Sequence, residues 1–327
     1  MHNGPVTSQQ NPTTTDMSDG SALRSDPAVL ADAPLSLCSD AARGSADDPA
    51  GSAAEFSSFL LLEHREPWTA TAADDAVGRL DPAVGAAVVA SPRLRAFAIR
   101  KVHPRLAGSQ PVGYGGRTGP NAGLIGWPGM PDVDAVRFLT DDAPKDTLGR
   151  MHSDLRQHDL LFAVCTNGRR DRCCAIVGRG IAVDLHAEFG DQVVEISHLG
   201  GHRYAGTMLV LPWGYAYGFL DPAAARTVAA AAVAGLVHPE GLRGRADLPP
   251  AEQAADVLLR RELGPAGLDA VRVVGAAAGG GPSHRVSAEV LGVRVDVLMH
   301  REAGPTISET LCGGKPFGTG RWSMQRL

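Results

Sequence analysis

The chain has 327 residues with 31 basic against 36 acidic side chains, and its formal charge of -5 argues against a general nucleic-acid binder. Apolar residues make up 44 % of it, ample for a core, yet the longest apolar run, Val228–Val237, is about half of what a bilayer-spanning helix needs. Five cysteines is an odd number and three fall within ten residues, a pattern foreign to secreted disulfide frameworks and suited to a reducing cytoplasm.

Residues 1–50 are rich in Ser, Asp, Thr, Ala, Pro and Gly and have no basic start followed by an apolar run. They read as a disordered leader rather than a signal peptide, with Cys38 as a loop thiol. The first strand is Phe59–Glu63. Asp81 and Pro82 open a short helix of small residues, Asp81 as its N-cap. Basic and apolar residues alternate over Leu94–Val102, which predicts a half-buried strand with Arg93, Arg95, Arg100 and Lys101 facing solvent. Pro104–Pro131 is too dense in Gly and Pro for a regular element. Val133–Thr140 reads as a strand and Thr147–His158 as a helix or turn.

Leu160–Val164 is fully apolar, the kind of strand that lies central in a sheet covered on both faces, and it delivers Cys165 to the sheet edge. The spacing of Ile181, Val183, Leu185 and Phe189 predicts a helix over Arg179–Phe189, ended by Gly190. Strand Val193–Ser197 then delivers His198. Thr207–Leu211 and Tyr215–Phe219 follow as paired strands, and Asp221-Pro222 caps an alanine-rich helix running to Val237. Arg243–Leu248 reads as a polar loop, and Pro249-Pro250 opens a helix through about Leu263. Three strands are expected, Asp269–Val274, His284–Leu291 and Val293–Met299, the last two turning tightly at Gly292. The tail Glu309–Leu327, with Cys312, reads as turns. No internal repeat is visible.

The chemistry is concentrated between Cys165 and His202. Cys165 and Cys174 stand nine positions apart across a turn containing Gly168, while His198 and His202 flank Leu199, Gly200 and Gly201. Two thiolates and two imidazoles, each pair on a loop leaving a buried strand, suit a soft to borderline metal centre, for which zinc and iron-sulfur clusters are the usual occupants. Cys173 adjoins Cys174 and competes with it as a ligand. Arg169, Arg170, Arg172, Arg179 and Arg203 crowd the two motifs, either as cations that favour a reduced centre and steer an acidic partner or as an ordinary solvated face. Asp171 is expected to pair with one of them. Gly168, Gly200 and Gly201 fit tight turns that bring backbone N–H groups toward the bound group. His64, His103, His152, His158, His186, His238, His284 and His300 sit in no matching cluster.

The runs C-T-N-G-R-R-D-R-C-C, from Cys165 to Cys174, and H-L-G-G-H, from His198 to His202, resemble those of the sucrase/ferredoxin-like family. The match in order and rough spacing extends from about Phe59 to the C-terminus. The resemblance implies a thioredoxin-like 2Fe-2S ferredoxin whose cluster is held by Cys165, Cys174, His198 and His202. The expected fold is therefore α/β: a disordered leader (1–50), an N-terminal α/β subdomain (51–150), a thioredoxin-like 2Fe-2S domain (151–240) and a C-terminal helix with a β-rich extension (241–327).

The function that follows is single-electron transfer between soluble protein partners in the cytoplasm, without nucleic-acid or membrane partners. Two ferric irons, two sulfides and two thiolates sum to zero charge, whereas four thiolates leave the oxidised cluster doubly negative. The potential is thus expected above the about -400 mV of plant-type ferredoxins, and to depend on pH through the imidazoles. Two other readings stand beside this one, a structural zinc module on the same ligands and a thiol-redox protein using Cys173 or Cys174. A glycosidase is rejected, since no paired-carboxylate motif is present.

Overall fold

The computed structural model describes residues 37–103, 112–119, 122–140, 160–278, 282–308 and 316–327. Its first half runs through α1 (Cys38–Gly44), β1 (Ser58–Glu63), α2 (Ala72–Val77), α3 (Pro82–Ala90), β2 (Leu94–Lys101), β3 (Val112–Arg117), β4 (Gly123–Pro128) and α4 (Val133–Thr140). The second half comprises β5 (Leu161–Cys165), α5 (Arg172–Phe189), β6 (Val193–Ile196), β7 (Met208–Leu211), β8 (Tyr215–Tyr217) and α6 (Pro222–Val233). Beyond it lie β9 (Leu236–Val237), β10 (Leu242–Arg245), α7 (Pro250–Leu263), β11 (Ala266–Gly267), β12 (Val271–Ala278), β13 (Ser283–Val290), β14 (Val293–Ile307) and β15 (Phe317–Arg326).

Local chemistry sets many of these boundaries. The Asp81 carboxylate accepts the Ala83 N–H at 2.9 Å with Pro82 in the first turn of α3, and Asp221 does the same for Ala224 at 2.8 Å at the head of α6. Leu291 and Gly292, at φ 51° and 80°, form the two-residue turn between β13 and β14. Both central residues lie at positive φ, as a turn matched to strand twist requires.

Nine strands form one mixed sheet in the order β10-β8-β7-β5-β6-β2-β1-β3-β4. In each half the first two strands are parallel, the third is antiparallel to the first, and the fourth is antiparallel to the third. The strand order 2-1-3-4 therefore occurs twice, although the sequence carries no visible repeat; the halves share only alternation of apolar residues and the succession of elements. They join through antiparallel β2 and β6, where Ile99 pairs with Ile196. Glu63 pairs with Ile99 and Cys165 with Ile196, so Glu63, Ile99, Ile196 and Cys165 form one row across four strands. Cys165 and Glu63 occupy equivalent places.

Side-chain alternation divides the core. Leu60 and Leu62 of β1 pack under α2, α3 and α4, while Phe162 and Val164 of β5 pack with Ile181 and Leu185 of α5 and with α6. On the opposite face one continuous cluster joins Phe59, Leu61, Ile99, Ile196, Cys165 and Leu209, covered by Ala53 and Phe56. A four-stranded antiparallel sheet, β12-β13-β14-β15, lays Val286, Val297, Met299 and Trp322 into the core that contains Val257 and Leu259 of α7. Among the described residues no helix is long and apolar enough to cross a membrane.

Several expectations are corrected. Val133–Thr140 is helical: Asp132 accepts the Ala135 N–H at 2.7 Å, and Ala135, Val136, Phe138 and Leu139 are buried at helical spacing. The Gly/Pro-rich loop contains the hairpin β3–β4, where Gly116 permits close packing, since a Cβ there would lie 2.6 Å from the Phe59 ring. Within the leader, residues 38–44 form α1 with Cys38 fully buried against Cys173 and Ala205; residues 1–36 lie outside the described residues. Arg100 and Lys101 do not face solvent freely, because β2 is central, and they pair with Glu195 and Asp191. The supposed polar loop holds strand β10, and the tail holds β15, a strand that pairs with β14. Thr147–His158 and Cys312 lie outside the described residues.

Helix α5 begins at Arg172, seven residues before the expected start, which puts Cys173 and Cys174 in its first turn. Its approach to β5 depends on Gly178, where a Cβ would sit 2.1 Å from the Cys165 carbonyl oxygen. Gly178→Ala is expected to destabilise the fold by about 1–3 kcal/mol through this overpacking, despite the better helix propensity of alanine, and thermal unfolding should show a Tm lowered by several degrees.

Candidate metal centre

The end of β5 leads into a loop pinned by Asn167. Its Oδ1 accepts the N–H groups of Arg169 and Arg170, both at 3.2 Å, and its Nδ2 donates to Thr69 O at 3.0 Å. The loop is further tied to the first half by Thr166, whose hydroxyl accepts from Trp68 Nε1 at 3.1 Å and donates to Glu195 at 2.8 Å. Asp171 is the N-cap residue of α5, yet its carboxylate makes no capping bond. It lies instead 3.2 Å from His198 Nδ1 and 3.4 Å from His202 Nδ1. The expected pairing of Asp171 with an arginine is corrected on this point: its carboxylate faces the two histidines.

Cys165, Cys174 and His198 bring their donor atoms within 4.8 Å of one another, the one such group of three among the described residues. Both thiols are about 1 % exposed. Hydrogen bonding from the Cys174 thiol holds the Cys165 thiol well below the ordinary range, helped by His198 and the Leu199 N–H against the opposing effect of burial. The same contact, with burial and the neighbouring charge, pushes the Cys174 thiol up. Cys173 turns away into a separate small cluster with Cys38, whose N–H lies 3.3 Å from its Sγ. The adjacent pair is thereby split between a metal-competent thiol and a packed one.

β6 delivers the histidines. Ser197 clamps the strand end, its N–H donating to Ala98 O at 2.8 Å and its Oγ accepting from Ala98 N–H at 3.1 Å. Gly200 and Gly201 follow at φ 82° and 69°, a left-handed pair that side-chain-bearing residues resist, and the chain folds back into a short 3-10 turn over His202–Tyr204. His202 stands outside the three-donor group but shares the Asp171 carboxylate with His198. Burial, with the charges of His198, Arg203 and Arg170, lowers its imidazole against the pull of Asp171, which favours the neutral, lone-pair-bearing ring. The Gly168 N–H donates to Thr166 O at 2.9 Å and so serves the turn itself.

The arginines separate into three groups. Arg169, Arg170, Arg172 and Arg179 are exposed, with no ion pair to a described residue. Arg203 donates to Asp47 at 2.8 Å and to Tyr204 Oη at 2.7 Å. The third, missed in the sequence, is Arg243. Its guanidinium is buried, reaching Gly200 O at 3.0 Å and Ser52 Oγ at 3.1 Å. Burial draws it down to about 10, still a cation at neutral pH, and thiolate charge at Cys165 and Cys174 acts to raise it. Only its place within a strand of the ligand-bearing sheet distinguished it from a surface arginine, and the reading of a polar loop concealed that.

Buried sulfur donors beside an imidazole fit a soft or borderline metal, and a shared carboxylate behind two imidazoles is the usual support of histidine ligands. Fold and site together define a mixed α/β protein with a Cys/His group able to bind a metal. Residues 49–244 match the family described as Sucrase/ferredoxin-like, and the chain belongs to that family. No curated protein and no solved structure matches the chain.

Loss of the carboxylate charge in Asp171→Asn should weaken metal binding about 10–100-fold. Competition against a chromophoric chelator measures this, and the Tm of the metal-free protein should stay near that of the parent.

Proposed function

We propose that Cys165, Cys174, His198 and His202 hold a 2Fe-2S cluster and that the protein moves single electrons between protein partners. The buried three-donor group within the family-matched region is the observation that carries this reading. The order strand, helix, strand, two strands, helix, found in the second half and matched in the first with two helices after its first strand, supports a thioredoxin-like ferredoxin architecture. When bound, such a cluster supplies one-electron redox chemistry, at a potential raised by replacing two thiolates with neutral imidazoles.

The chain's own residues supply the rest. The Asp171 carboxylate lies 3.2–3.4 Å from Nδ1 of both imidazoles, close enough to support them as ligands through their other ring nitrogen. Cys174 sits at the third position of α5, where the helix N-terminus works against the Cys165 contact and the burial that push its thiol up. Exposure is uneven: the His198 and His202 side chains are 22 % and 29 % accessible, against about 1 % for the thiols. A partner therefore approaches from the histidine side. There Arg169, Arg170 and Arg172 favour an acidic surface. A structural zinc site suits the same donors, whereas a thiol-redox role for Cys173 with Cys174 is disfavoured by the packing of Cys173 against Cys38.

Anaerobic purification should yield a red-brown protein with about two irons and two sulfides per chain and an EPR signal after dithionite. Cys174→Ala should lose the colour, Cys173→Ala keep it, and His202→Cys keep it with an altered EPR signal. A colourless protein carrying stoichiometric zinc after anaerobic handling would contradict the proposal.

A further inference from the structure

Arg243 is an unusual cation for this fold. It lies in edge strand β10 at a register break: Leu242 pairs with Tyr217 and Gly244 with Ala216, so Arg243 is the extra residue of a β-bulge. A bulge re-aims a side chain that regular pairing would send elsewhere, and here it sends a guanidinium into the interior, about 2 % exposed. Neighbouring glycines make room for it. A Cβ on Gly201 would lie 2.5 Å from Nη2, and one on Gly218 3.1 Å from Cδ.

Its described hydrogen bonds go to neutral acceptors: Ser52 Oγ, Ser52 O and Gly200 O. No carboxylate of the described residues lies within ion-pair distance, in contrast to the other fully buried arginine, Arg260, which pairs with Asp256 at 3.1 Å. A buried cation without an ion-pair partner is costly; the Tyr204 ring, 5.3 Å away, offsets part of that cost, and negative charge developed nearby offsets more. Gly200 lies between His198 and His202, so the guanidinium is bonded to the loop that carries both histidines.

We infer that Arg243 is the fixed counter-charge of the thiolate-ligated centre, a positioning and electrostatic residue that anchors the His198–His202 loop and favours the more negative state of whatever the thiolates hold. The inference rests on the metal-centre reading above and deepens it. With a 2Fe-2S cluster the oxidised centre is neutral and gains one negative charge with one electron, so the cation favours reduction. With a lone divalent ion, the cation favours the two deprotonated thiolates that binding requires.

Two variants and two readouts test this. Arg243→Gln keeps an amide donor and removes the charge; Arg243→Lys keeps the charge and removes the fork, and Arg243→Met replaces the glutamine variant should that one not fold. In the iron-loaded protein, an optical redox titration of the neutral variant should show a lower midpoint, by a tenfold shift in the reduction equilibrium, about 59 mV for one electron. The lysine variant should stay near the parent. In the metal-free protein, titration with Co2+ alone, followed by thiolate-to-cobalt absorption, should show about tenfold weaker binding in the neutral variant and near-parental binding in the lysine variant. Should the parent never accept an iron-sulfur cluster, the cluster reading fails while the cobalt titration still decides the role of Arg243. A neutral variant that matches the parent in the titration performed, or a lysine variant that falls as far as the neutral one, overturns the counter-charge role.

Discussion

A Cβ at position 178 would stand 2.1 Å from the Cys165 carbonyl oxygen, so helix α5 can cross the end of β5 as closely as it does only with glycine there. That crossing sets the distance between the two sulfurs, because Cys165 ends the strand and Cys174 lies one turn before Gly178. It also places the Asp171 carboxylate, at the N-cap of the same helix, between the Nδ1 atoms of the two histidines delivered by β6. Backbone contact thus does what no single side-chain bond could: it fixes donors from strand, helix and loop against one another before any ion arrives.

The repeated strand order gives the site a frame larger than its own half. Glu63 and Cys165 occupy equivalent places on either side of the β2–β6 junction, but the first half carries no cysteine there, and its loop does different work. Trp68, on that loop, donates to Thr166, which follows Cys165, while Arg100 of β2 pairs with Glu195 of β6 and lies over the Trp68 ring at 4.1 Å. One half therefore holds the donors and the other braces the loop that presents them. Such bracing is what keeps a ligand constellation from slackening.

Much of this was legible in the residues themselves. The apolar run into Cys165 and the H-L-G-G-H run carry their own physical signatures, a covered strand and a left-handed glycine pair between two imidazoles. What escaped the sequence depended on tertiary neighbours. The early start of α5 was masked by Gly178 and Gly180, which lower helix propensity but are required, in the case of Gly178, by packing. Cys38 looked like a loop thiol because its burial comes from Cys173 and Ala205, which lie far away in sequence. Arg243 looked like a loop residue since nothing local announces a bulge. The doubled topology left no repeat to read, for strand order is set by pairing and tolerates unrelated residues.

In the proposed centre two sulfurs and two imidazoles act together, of which Cys165, Cys174 and His198 already bring donor atoms within 4.8 Å of one another, with Asp171 beside both imidazoles. The most direct measurement is pulsed EPR of the reduced, iron-loaded protein, grown with 14N- or 15N-labelled histidine. Two strongly coupled histidine nitrogens, falling to one in His202→Cys, are predicted. A spectrum without coupled histidine nitrogen, unchanged by the label, would contradict the ligand set and with it the claim that this site is a histidine-ligated cluster.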